Sequence, residues 1–175
     1  MTWLHALMLA VAALDRDERS QAATVIEQSL LQKPSWLGYR LRALLATDPD
    51  AAITDYTKAW EAGDAPPELA VEFAQYLMAA DRPRDLAAFV GALPSSVRDH
   101  ERIVLARAVV AAQSGDMDEL ERLLMGRQFA TIREGETLLS DLWVSLRRGR
   151  LAASLGRTPD KAELKADLKA NPLPK

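Results

Sequence analysis

The side chains best suited to chemistry are few. The chain has two histidines, His5 and His100, and no cysteine. Zinc needs three or four ligands drawn from His, Cys and carboxylates. The two histidines stand nearly a hundred residues apart with no thiolate to join them, so no metal site is expected. A nucleophilic serine needs a strand–turn–helix setting to present its hydroxyl, and no serine has one. Glu134, Glu136 and Asp141 cluster around Gly135. Two carboxylates in a loop can act as acid and base. They also suit a solvated loop whose charges face the positive end of the helix that follows, and that reading is favoured. The glycines sit mostly at helix ends, and no glycine-rich phosphate cradle is present. Neither catalysis nor a cofactor is expected.

The elements that carry these residues read as helices. The sequence is 49% apolar and 27% charged, a globular balance. Alanine and leucine dominate, while β-branched and aromatic residues are scarce, which favours helix over sheet. A step of 33 residues carries Trp3-Leu4 to Trp36-Leu37. Similar steps reach Leu69-Ala70 and Ile103-Val104, and the turns follow as Asp15, Asp48, Asp81 and Gly115-Asp116. Such self-similarity marks stacked supersecondary units.

Apolar spacing predicts helix pairs over about 3–14 and 19–32, 35–46 and 50–62, 67–80 and 83–92, and 97–114 and 116–125. Pro34 and Pro94 stop helices, Pro66 and Pro67 open one, and Gly63 suits a left-handed cap. A polar loop is expected over 126–136. A long helix follows over about 138–155, capped by Thr137 and Gly156, with Leu139, Leu142, Trp143, Leu146 and Ala153 as its buried stripe. A last helix over 159–170 opens on Thr158-Pro159, and the end from Asn171 to Pro174 is expected to be extended. The expectation is one all-α domain over 1–175. It holds four helix pairs in 1–126 and a C-terminal capping helix pair over 137–170.

These residues resemble the tetratricopeptide repeat. In the second pair Trp36, Ala52, Tyr56 and Ala59 match its spacing; in the first, Ala22, Ile26, Ser29 and Pro34 do. Phe89 and Ala92 take the aromatic and small positions of the third pair, and Leu123 and Gly126 those of the fourth. Arg40 and Asp85 stand where that family places small residues. The resemblance covers about 1–126 and implies a right-handed superhelix, a solenoid of stacked antiparallel helix pairs. The tail, Arg133-Glu134-Gly135-Glu136 with Leu139-Ser140-Asp141-Leu142-Trp143 and the closing Asn171-Pro172, is similar to the C-terminal end of large bacterial proteins of unknown function. Those proteins place such an array after a β-rich, sugar-enzyme-like part that has no counterpart here.

In tetratricopeptide arrays the first helix of each pair lines a concave groove. The resemblance places Leu4, Met8, Leu37, Leu41, Leu44, Ala70, Ala74, Met78, Val104 and Ala108 there. So apolar a face implies either a groove that the chain covers itself, with helix 138–155 as the cover, or a non-enzymatic interaction or scaffolding module whose partner is a protein or peptide, or a second copy, with the methionines as adaptable contacts. The alternative is an accessory helical domain of a larger carbohydrate-active or other hydrolase-like protein. Members that clamp a terminal carboxylate use asparagines and lysines on the first helices. This chain has its one asparagine, Asn171, in the tail, so that clamp is not expected.

A net charge of −3 leaves no broad basic face for nucleic acid. The run Leu4 to Leu14 is as apolar as a signal core, but no cation precedes it and Asp15, Arg16 and Asp17 follow at once. It is also too short to span a bilayer. With no cysteine in the chain, a cytoplasmic location is expected.

Overall fold

The structure, a computed structural model, describes residues 2–133 and 135–173. Among these residues every regular element is a helix and there is no strand. In order they are α1 (Trp3–Asp15), α2 (Arg19–Gln32), α3 (Trp36–Leu45), α4 (Pro49–Glu61), α5 (Pro67–Ala79), α6 (Pro83–Ala92), α7 (Ser95–Arg98), α8 (Glu101–Ser114), α9 (Met117–Leu124), α10 (Leu138–Leu155) and α11 (Lys161–Ala170). The protein is all-α. It falls into two compact units, Met1–Phe73 and Ala74–Lys175, divided within α5.

Local chemistry explains most boundaries. Thr2, Ser35, Asp48, Asp116 and Asp160 cap helices with side-chain oxygens that accept first-turn backbone N–H groups. Pro49 and Pro83 stand at first-turn positions, where no N–H is missed. Gly115 and Gly156 end α8 and α10 in left-handed conformation, with φ +77 and +66. Two boundaries differ from expectation, and at a third the expected cap residue bonds elsewhere. The helix expected over 97–114 is broken: α7 is one turn, and His100 then caps α8 by accepting from Arg102 N at 3.3 Å. Thr137 sits at the N-cap of α10 but makes no capping bond; its hydroxyl donates to Asp141 Oδ2 at 2.8 Å instead. Finally, α11 starts two residues later than expected because Asp160, not Thr158, is its cap.

Asp160 and Glu163 form a reciprocal capping box, and Arg157 grips Glu163 at 2.8 and 2.5 Å. The Arg157 hydrogen bond pushes the Glu163 carboxyl from 4.5 down to about 2. A carboxylate depressed on folding contributes stability above its unfolded value and loses it as pH falls through the folded one. The contribution of this box is therefore complete above pH 4.5 and lost as the pH falls toward 2. An NMR titration of the Glu163 carboxyl should show a midpoint well below that of a free glutamate. A midpoint near 4.5 would contradict the clasp.

Four pairs of consecutive helices, α1–α2, α3–α4, α8–α9 and α10–α11, form antiparallel hairpins. The start of α1 meets the end of α2, where Ser29 Oγ donates to Trp3 O at 2.9 Å. In α3 and α4, Arg42 reaches Asp55; in α8 and α9, Arg107 reaches Glu119. The start of α10 meets the end of α11, where Trp143 Nε1 donates to Asn171 O at 3.0 Å. In the first unit α2 and α1 also pack on α3, and Gly38 shows how closely. A Cβ there would come within 2.7 Å of Leu30 Cδ2.

A common register emerges. Counted from the residue just before the second helix of each of the first three pairs, the fourth, eighth and eleventh positions turn inward. These are Ala22, Ile26 and Ser29 in α2, and Ala52, Tyr56 and Ala59 in α4, all buried. Beyond the third turn they are Leu86, Val90 and Leu93, also buried. This corrects the expected pair Phe89 and Ala92, of which Phe89 is half-buried and Ala92 exposed. In α9, Leu120, Leu123 and Leu124 are buried, and Gly126 is exposed in a left-handed turn. In α11 the same places hold Leu164, Leu168 and Asn171, all half-buried. The C-terminal pair thus repeats the hairpin pattern while its other face, with Lys161, Lys165 and Lys169, is exposed. Turns agree less well. The left-handed residue is Asp17 in the first and Asp81 in the third, so the counterpart of Asp81 is Asp17 rather than Asp15. On α10, Leu142, Trp143 and Leu146 are buried, Leu139 is half-buried, and Ala153 is exposed.

Candidate partner-binding surface

The ten candidate groove residues divide evenly. Leu41, Ala70, Ala74, Val104 and Ala108 are buried and cannot touch a partner unless a unit opens. Leu41 belongs to the core shared by α1, α2 and α3, and Val104 and Ala108 to that of α8, α9 and α10. The physical reason is that a first helix is packed by its own partner and by a neighbouring hairpin. Its inward stripe is therefore wider than one heptad position. Small residues such as Ala70, Ala74 and Ala108 mark close helix approach, not an open floor.

The other five keep surface. Met8 is 65% exposed, Leu4 50% and Leu44 45%. Leu37 and Met78 are half-buried. In the first unit Leu4 and Leu37 come together in a cleft of about 330 Å3, beside Trp3, Trp36 and Lys33. The Lys33 ammonium lies 4.6 Å above the Trp3 ring, a cation–π contact. In the second unit Met78 lines a smaller cleft of about 140 Å3 with Val109, Gln113 and Leu138. On α8 the lining residues are thus Val109 and Gln113, one step around the helix from the expected Ala108.

Two further exposed apolar residues, Leu9 and Val11, lie on α1. Their signal was present in the sequence, since α1 is apolar almost all the way round and one stripe suffices for packing. Leu4, Met8 and Val11 follow one helical stripe, while Leu7 at its edge and Ala6, Ala10 and Ala13 across the helix are buried.

The residues read for chemistry have structural partners. His5 is exposed and its Nδ1 lies 2.8 Å from Thr2 Oγ1, while His100 caps α8 in the other unit. Among the described residues no group of three or more His or carboxylate side chains could hold a metal ion. Of the acidic cluster, Glu134 lies outside the described residues. Glu136 forms a two-pronged pair with Arg102 of α8, at 2.6 and 3.0 Å. The Arg102 guanidinium holds its carboxyl below the usual range. Arg102 also donates to Thr131 O, and Glu101 accepts from Ala130 N and Thr131 N at 3.3 and 2.9 Å. These bonds strap the 126–136 loop to the start of α8.

Fold and surface define an all-α protein built of helix hairpins, in which no described helix is long and apolar enough to cross a membrane. No protein-family model matches the chain, and no curated protein or solved structure matches it.

Proposed function

We propose that the chain is a non-enzymatic interaction module of tetratricopeptide type, holding a protein or peptide partner or a second copy of itself. The right-handed superhelical stacking that the resemblance implies is part of that reading. The observation that carries it is the exposure of Leu4, Met8 and Val11 along one stripe of a helix whose opposite side is core. Contiguous apolar exposure on a soluble chain marks an interaction site. The inward register shared by α2, α4 and α6 supports the repeat reading, because only recurring contacts demand recurring residues.

The test uses exposed positions, since charges at Leu41 would only damage the core. Leu4→Glu with Met8→Glu should leave the helical circular dichroism and melt close to the parent, because both side chains already meet water. The pair should abolish capture of the partner from native extract and any dimer seen by analytical ultracentrifugation. Capture and association that survive both charges would sink the proposal for this surface.

A further inference from the structure

The second unit holds an open cleft of about 250 Å3 among α6, α7, α8 and α9. Ala87, Val90 and Val110 form its apolar wall, and Arg98 and Arg107 reach it from α7 and α8. Arg98 is held in place: its Nη2 donates to Leu93 O at 2.8 Å and Gly91 O at 3.2 Å. Its Nε is buried without a hydrogen-bond partner, and among the described residues no carboxylate pairs with it. Arg107 donates to Glu119 at 3.0 Å, but Glu119 also accepts from Arg122 at 2.6 and 2.7 Å. One carboxylate thus serves two guanidiniums. The other acid at the cleft, Asp116, is committed as the cap of α9, accepting from Glu119 N at 3.0 Å. Both acids spend hydrogen bonds internally, and Arg98 has no carboxylate paired with it in the cleft.

Gly91 is an independent observation. Gly91 is the next-to-last residue of α6, and packing does not require glycine there, since a Cβ would meet nothing within 4 Å. Its effect is to leave the cleft open on that side.

We propose that this cleft binds a small oxyanion, a carboxylate or phosphate group on a short apolar body. The anionic group sits on the guanidiniums of Arg98 and Arg107, and the body lies over Ala87, Val90 and Val110. Guanidinium is the side chain suited to such groups, and an apolar wall with a few polar groups is the usual make-up of a ligand site. The volume equals that of roughly eight water molecules in the liquid, which limits the body to a few carbons.

Isothermal titration calorimetry on the full chain tests this with sodium butyrate and, separately, sodium phosphate, each against sodium chloride at equal ionic strength. Saturable binding of at least one is expected, and which one binds tells carboxylate from phosphate. Arg98→Gln should weaken it at least tenfold. Gly91→Leu should do the same by filling the open side, with a melt no lower than the parent's because the change favours helix. No saturable heat from either salt, or parent-like binding in either variant, would overturn the proposal.

Discussion

Removing residues 127–175 is expected to leave the second unit unable to fold cooperatively. Leu142, Trp143 and Leu146 of α10 are buried in one cluster with Val104, Leu105, Ala108, Leu120, Leu123 and Leu124. Burying each large apolar side chain is worth about 2–3 kcal/mol. The three from α10 alone thus contribute on the order of the whole stability of an ordinary domain, about 5–15 kcal/mol. Ion pairs from Arg150 to Glu121 and Asp118, and from Arg102 to Glu136, would go as well. Their loss matters less, since exposed pairs are worth about 0–1 kcal/mol each. The shortened chain should show reduced helicity per residue, a broadened melt and aggregation on size-exclusion chromatography. A milder probe is Trp143→Ala in the full chain, expected to cost about 3–5 kcal/mol. A shortened chain that melts as sharply and as high as the parent would contradict the role given to α10 and α11.

The second large effect belongs to Arg42. From α3 its guanidinium grips Asp55 of α4 through Nε and Nη2, at 2.9 and 2.6 Å, and Glu27 of α2 at 3.0 and 3.2 Å. Three helices of the first unit meet on one side chain. Asp55 is buried, 7% exposed, while Glu27 is open to water. Arg42→Met keeps much of the stem's packing but leaves a buried carboxylate without its cation. Such half-removal costs about 3–5 kcal/mol, because an unpaired charge cannot recover its lost hydration. Glu27→Gln should cost no more than about 1 kcal/mol, as the exposed arm of the same network. Replacing both partners, Arg42→Met with Asp55→Leu, should restore most of the stability, since no buried charge remains. Urea unfolding of these chains, with the single variant Asp55→Leu added, closes the cycle. A single variant Arg42→Met as stable as the parent would show that Asp55 is hydrated, against the burial described.

Residue type and spacing alone determined that the chain is helical, and very nearly where each helix begins and ends. Caps, prolines and glycines act within three or four residues of themselves, so their meaning survives without any tertiary contact. The same locality covers Asp48, Gly115 and Gly156, each read correctly from its neighbours. It failed at Thr158, where Asp160 two residues on took over the cap, and at Thr137 the residue stands at the N-cap but its hydroxyl bonds Asp141 four residues away instead. What only the tertiary structure decided was which side of each helix turns inward. Leu86 and Val90 are buried where Phe89 had seemed the anchor, and Leu41, Val104 and Ala108 are core where a groove was expected. A helix rich in alanine and leucine offers several apolar stripes, about 100° apart per residue, and its own sequence does not rank them. The ranking comes from two neighbours pressing at once, and Leu4 and Met8 remain exposed because their stripe is the one neither neighbour covers.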